Sequence, residues 1–157
     1  MHTNKDDENK IRSVYEKLLE SWNDNNAGEF SKLFTDDGNV IGFDGSQMNG
    51  RNQINDELNK IFVNHKVSSY VGIVREIRTL SPTVFILRAV AGMVPQGKSE
   101  IKPDVNTIQT LVVQQEPDEF LITLYQNTPA AFHGRPELVK QLTEELQKVV
   151  NGKQTIR

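Results

Sequence analysis

Few side chains in this 157-residue sequence can move a proton near neutral pH, and two of them stand where a site would need them. Asp44 lies between Phe43 and Gly45. A carboxylate at the mouth of an apolar cavity loses hydration, its pKa rises, and it becomes able to act as a general base. The structural alternative is that Asp44-Gly45 is simply a turn, with the aspartate accepting backbone hydrogen bonds. His65 is the second candidate, because imidazole titrates near neutrality and shuttles protons. It ends a helical segment, where its cationic form would equally suit a helix C-terminus. The catalytic expectation is therefore Asp44 and His65, each weighed against an ordinary structural role.

Gln109, Tyr125 and Asn127 form a second constellation. Tyr125 and Asn127 are two apart on one expected strand, so their side chains share a face, and Gln109 sits on the neighbouring strand. Amide and phenol groups bind and orient a ligand but do not abstract protons unaided. The three either face a ligand, bond to one another, or lie on a dimer-facing surface. The opposite face, with Phe120, Ile122, Leu124 and Gln126, is as apolar, so alternation does not say which side points inward. Trp22, Phe34 and Phe43 are expected to line the narrow end of a hollow as ligand contacts, although aromatic residues at helical spacing are more often core than ligand platform. Arg75 and Arg88 fall within strands, with Asp44 or Glu76 as available partners, although surface placement suits them better. The histidines are dispersed and there is no cysteine, so no metal site is expected.

The elements that must position these residues are readable from periodicity. Ile11, Val14, Tyr15, Leu18, Leu19 and Trp22 make one helical stripe, placing a helix over 5–23 with Asp6, Asp7 and Glu8 in its first turn. Asn26 and Glu29 have capping-box spacing for a short helix carrying Phe30, Leu33 and Phe34, ended by the run from Thr35 to Gly38. A short strand is expected over 39–43, then a third helix from near Gly50 carrying Ile54, Leu58, Ile61 and Phe62. Four long strands follow over 67–79, 83–94, 105–115 and 120–128, joined mostly by short turns. A last helix starts at Pro136, a favoured first helical position, and stops near Gly152. Residues 1–4 and 151–157 read as flexible ends of a single domain over 5–150.

That order is an α+β class, in which helices pack on a strongly curved antiparallel sheet and leave a conical hollow. Charged residues are 25% and hydrophobic residues 36% of the chain, and the formal net charge is -3. So mild a charge, without basic runs, argues against a nucleic-acid partner. No apolar run approaches the ~18 residues of a membrane span. A cysteine-free chain with a polar, acidic start fits a cytoplasmic location.

Several stretches resemble the nuclear transport factor 2-like superfamily of cone-shaped α+β proteins, and within it the SnoaL-like, SgcJ/EcaC-type group. They are Ser21-Trp22-Asn23-Asp24; Phe30-x-x-Leu33-Phe34-Thr35-Asp36-Asp37; Phe43-Asp44-Gly45 followed by Gly50-Arg51-Asn52-Gln53-Ile54; Gln109 to Val113; and Tyr125 to Thr128. The resemblance implies a pocket between the concave sheet face and the helices, and frequently a homodimer through the sheet face. It implies no single activity, since the superfamily holds isomerases, cyclases, dehydratases, binding proteins and assembly domains. Two departures argue against ketosteroid-isomerase chemistry: the position matching that base is Gly42, and the position matching its tyrosine is near Leu18, with Tyr15 out of register. No Gly-rich nucleotide fingerprint is present, so no nicotinamide or flavin cofactor is expected. The expectation is a binder of an apolar or amphipathic small molecule or a proton-transfer enzyme; the alternative is a non-catalytic dimeric binding or assembly module.

Overall fold

The computed structural model describes residues 3–157. Helix α1 spans Lys5–Asn23, and its first turn is closed by Asn4, whose side-chain oxygen accepts from the Asp7 amide at 2.8 Å. Helix α2, Ala27–Ser31, is capped in the same way by Asn26, which accepts from the Glu29 amide at 3.0 Å. Helix α3 covers Arg51–Asn64 and helix α4 covers Pro136–Asn151. The strands are β1 Phe34–Ile41, β2 Gln47–Asn49, β3 Ser69–Ser81, β4 Val84–Val94, β5 Thr107–Gln115 and β6 Phe120–Pro129. They form one curved, unclosed sheet in the order β2-β1-β6-β5-β4-β3. No helix among the described residues is long and apolar enough to cross a membrane.

The expected α+β order holds, with three corrections. First, β1 begins at Phe34, inside what periodicity assigned to the second helix, and pairs parallel with β6 in a sheet expected to be antiparallel. Helical spacing of Phe30, Leu33 and Phe34 is real, but the Leu33 carbonyl accepts from the Ile122 amide at 2.8 Å, so tertiary pairing wins. Thr35 to Gly38 is then a wide bulge: Phe34 pairs with Ile122 and Asn39 with Leu124. Gly38 permits it, since a Cβ there would lie 3.0 Å from the Ile122 carbonyl oxygen. Arg51 braces the bulge through Nε to the Phe34 carbonyl at 2.9 Å and through Nη1 to Asp36 at 3.1 Å.

Second, the short β2 was not foreseen. Third, the described parts of the ends expected to be flexible are tied down, while Met1 and His2 lie outside the described residues. Thr3 bonds Thr79 side chain to side chain at 2.8 Å. At the other end, Thr155 to Arg157 run along the edge of β3. The Gly72 amide donates to the Thr155 carbonyl, the Arg157 amide to the Gly72 carbonyl and the Val74 amide to the Arg157 carbonyl, all within 2.9 Å. Ile156, 9% exposed, completes the core there. A sequence of polar residues carries no sign that its backbone covers a strand edge.

The two sheet faces are covered differently. Ile11, Tyr15, Leu18 and Leu19 of α1 pack with Ile54 and Leu58 of α3 against Leu87, Leu111 and Ile122 on the concave face. Each fully buried aliphatic side chain contributes about 1.5–3 kcal/mol. Helix α4 lies on the outer face instead, with Leu142, Leu146 and Val149 on Val71 and Ile73. Gly92 lets it approach, because a Cβ there would sit 2.8 Å from Leu146.

Strand β6 carries one extra residue. Val112 pairs with Leu124 and Val113 with Ile122, so Thr123 has no partner of its own. Alternation therefore breaks: Ile122 and Tyr125 both point into the concave core, while Leu124 is half-exposed. The grouping of Phe120, Ile122, Leu124 and Gln126 on one face does not survive that bulge.

Candidate functional site

Between the concave face, α1 and α3 lies a largely apolar cavity of about 350 Å³. Trp22, Phe30, Leu58, Ile61, Met48 and Met93 supply most of its apolar wall. Helix α1 delivers Trp22 because position 22 continues its buried stripe. The indole nitrogen donates to the Ser68 carbonyl at 2.9 Å, which fixes the ring. Trp22 also meets Phe62 edge-on at 5.3 Å and Tyr70 at 5.6 Å between ring centres. Phe43, Asp44 and Ser46 stand at the exposed side, in the β1–β2 turn.

The polar part of the wall comes from β3 and β6. Tyr70, Tyr125 and Asn127 line the cavity and are all at least nine-tenths buried. Behind them lies Gln109, which is fully buried and does not line the cavity. Its Nε2 donates to the Tyr125 hydroxyl and to Asn127 Oδ1, each at 2.8 Å. Its Oε1 accepts from the Tyr15 hydroxyl at 2.6 Å. Asn127 Nδ2 in turn donates to the Tyr125 hydroxyl at 3.2 Å. The three residues singled out in sequence thus form one cluster: two face the cavity, and the third joins them from the rear.

Burial keeps this cluster neutral. Desolvation pushes the Tyr15 hydroxyl far up, with nearby Tyr70 adding to the rise. Burial likewise holds Tyr125 well above its ordinary value, again with Tyr70 adding to it, against smaller lowering from the Asn127 and Gln109 hydrogen bonds. Tyr70 is pushed up to about 12 by burial alone. All three are neutral phenols across the neutral range, not bases.

Asp44 does not have the environment that a general base needs. It is exposed, and its Oδ1 accepts from the Ser46 amide at 2.9 Å within its own turn. That hydrogen bond, foremost among the causes, lowers its pKa, the reverse of the expected rise. His65 is exposed at the end of α3 and lies outside the cavity wall. Phe34 is also corrected: it is fully buried, stacked on Phe30 at 5.6 Å, and it is Phe30 that reaches the cavity. Arg75 pairs with Glu145 of α4 at 2.9 Å and Arg88 with Glu76 at 3.2 Å, every one of these side chains more than a third exposed, and neither arginine meets Asp44.

Sequence reasoning missed Tyr70 as a lining residue and Tyr15 as the anchor of Gln109. The signal for Tyr15 was Gly72: a Cβ there would lie 2.4 Å from the Tyr15 hydroxyl, so the strand is bare where the ring must fit. A second, more polar groove, lined by Lys17, Glu20, Asp24, Glu29 and Arg51, is open and lies over α1 and α2. Its charges of both signs sit on the surface and converge on no buried group.

No protein-family model matches this chain, and no curated protein does. Solved structures do match in fold. A domain of unknown function with a cystatin-like fold from Nostoc punctiforme aligns with a TM-score of 0.77 at 21% identity, over 96% of this chain and 95% of that one. A putative calcium/calmodulin-dependent protein kinase type II association domain from Thiobacillus denitrificans aligns at 0.66 with 11% identity, over 75% and 93% of the two chains. A ketosteroid isomerase-like protein from Erwinia carotovora atroseptica aligns at 0.64 with 11% identity, over 77% and 94%. The fold is the cystatin-like, nuclear transport factor 2-like cone expected from the sequence.

Proposed function

We propose that this protein binds an apolar or amphipathic small molecule in the cavity between α1, α3 and the concave sheet face. The observation that carries the reading is the wall itself: an apolar space of about 350 Å³ with a few convergent polar groups, Tyr70, Tyr125 and Asn127. Binding is favoured over proton transfer because Asp44, the one carboxylate at the wall, is exposed and more acidic than usual. The matched structures include a ketosteroid isomerase-like protein, which is compatible with a ligand-holding cone and names no reaction for this chain.

The test uses N-phenyl-1-naphthylamine, an apolar dye whose emission rises out of water. Saturable one-to-one binding is expected, lost at least tenfold in Val105→Trp, which fills the cavity from the loop before β5. Absence of saturable binding by the folded wild-type protein would remove the reading.

One observation favours self-association as a second activity. Over β4 to β6 the outer sheet face is not sealed by α4: Ile86, Val112 and Leu124 are half-exposed and Ile108 is 40% exposed. An antiparallel face that sets these apolar side chains beside the polar row Arg88, Thr110 and Gln126 suits a two-fold homodimer. Light scattering after size exclusion reports it, and a strictly monomeric mass at micromolar concentration would discard it.

A further inference from the structure

The geometry points to Tyr15, from behind the cavity wall, as the residue that fixes the polar part of the cavity as a hydrogen-bond donor. On that basis the ligand is a neutral apolar molecule carrying an acceptor, a ketone or ester rather than a bare hydrocarbon. This rests on the binding role proposed above and specifies its ligand.

The argument is one of hydrogen-bond accounting. An amide can be turned end for end, so its orientation must be set by something that cannot reverse. Tyr15 supplies that constraint. Its hydroxyl is fully buried, and among the described residues it has one partner, Gln109. Were Gln109 to present its NH2 there, the hydroxyl proton of Tyr15 would be left without an acceptor, which burial makes costly. Gln109 Oε1 must therefore face Tyr15, and Nε2 must face the cavity side.

The next step follows. Both Nε2 protons are spent, one on the Tyr125 hydroxyl and one on Asn127. The Asn127 atom that receives one must be its oxygen, so Nδ2 turns toward Tyr125 and the cavity. The Tyr125 oxygen then accepts twice, from Gln109 and from Asn127. Its own proton has only Asn127 Oδ1 at 3.5 Å, at the limit of a hydrogen bond, and that oxygen already accepts from Gln109 at 2.8 Å and lies 3.3 Å from the Thr107 hydroxyl. A ligand acceptor at ordinary distance would claim it. One Asn127 Nδ2 proton is free as well. The Tyr70 hydroxyl stands at the same wall and can donate or accept, so it adapts to the other two. With no positive charge in the wall, a carboxylate ligand would lose its hydration uncompensated.

The experiment compares 2-acetylnaphthalene with 2-isopropenylnaphthalene, which replaces the carbonyl oxygen by CH2 at nearly the same shape. Each displaces the naphthylamine dye from wild-type protein, and affinities are divided by the water-to-cyclohexane partition ratio of each compound. The ketone is expected to show at least a tenfold excess, and its bound carbonyl stretch to move to lower frequency than in cyclohexane. Tyr125→Phe should remove most of the excess, and Tyr15→Phe should reduce it several-fold and weaken the frequency shift, each read as the ketone-to-hydrocarbon affinity ratio of the same variant. Thermal melts confirm that each variant is folded, and the wild-type comparison needs no variant. Equal corrected affinities would overturn the donor polarity and leave the cavity reading intact. Full excess in folded Tyr15→Phe would overturn the role of Tyr15. Failure of every probe to bind would overturn the binding reading and this inference together.

Discussion

The Tyr15 hydroxyl donates to Gln109 Oε1 at 2.6 Å, joining helix α1 to the centre of the sheet through two fully buried polar side chains 94 positions apart. Tyr15→Phe keeps the ring but strands a buried acceptor on Gln109, and should cost about 1–3 kcal/mol. Gln109→Leu should cost more, since it leaves the Tyr15 hydroxyl without a partner and takes a donor from both Tyr125 and Asn127. Urea unfolding checks both: the midpoint falls while the slope stays constant. A Tyr15→Phe protein as stable as wild type would show that the bond contributes nothing.

Gly72→Ala and Gly92→Ala test how closely the two helices ride on the sheet. At Gly72 a Cβ would meet the Tyr15 hydroxyl at 2.4 Å and its ring at 3.0 Å, and a buried ring cannot retreat. At Gly92 the nearest atom is the end of Leu146, at 2.8 Å, which can rotate away more readily. Overpacking typically costs about 1–3 kcal/mol. The larger loss is expected at Gly72, and thermal melts of the two variants decide the order.

Arg75 and Glu145 clamp β3 to α4 by two hydrogen bonds, at 2.9 and 3.0 Å. The Arg75 hydrogen bond is the main cause that lowers the Glu145 pKa from its ordinary 4.5. A depressed folded-state carboxylate stabilises above its unfolded pKa and loses that contribution as pH falls through the folded value. Both side chains are more than a third exposed, so solvent screening holds the pair to about 1 kcal/mol or less. Glu145→Gln should therefore lower the urea midpoint slightly at neutral pH, with the difference closing below about pH 4.5 and in high salt. A gap that widens on acidification would contradict the assignment.

Ligand affinity should be flat from about pH 6 to 9. Of the titratable groups at the wall, Asp44 is already ionised and held below its ordinary 3.8, while Tyr70 is pushed up to about 12 and Tyr125 lies above its usual value. Trp22 is the one tryptophan in the chain and it lines the cavity, so its emission reports occupancy directly. A binding transition centred near neutrality would mean that some group outside this set controls entry.

Helices whose apolar residues keep one period were legible without a structure: Ile11 to Trp22, Ile54 to Phe62 and Leu138 to Val150 all lie on helices. The four long strands were legible for the same reason. The losses came where two elements compete for the same residues. Leu33 and Phe34 fit a helix locally but sit beside Ile122 once β6 is present. The grouping of Gln109, Tyr125 and Asn127 was visible from spacing, because register and alternation carry it. The partner that orients them was not, because no local pattern links a helix residue to one 94 positions later. The expectation for Asp44 failed on solvation alone: sequence shows that a carboxylate is present, not how much water reaches it.

Thr123 makes β6 one residue longer than the strand it faces. Removing it would leave plain alternation, with Ile122, Tyr125 and Asn127 still turned toward the concave side and the opposite side undisturbed. A one-codon loss there is thus the mildest indel this strand can suffer, whereas one between Tyr125 and Asn127 would rotate the amide out of reach. When distant relatives are aligned, a gap at this position should be expected and need not signal a different binding wall.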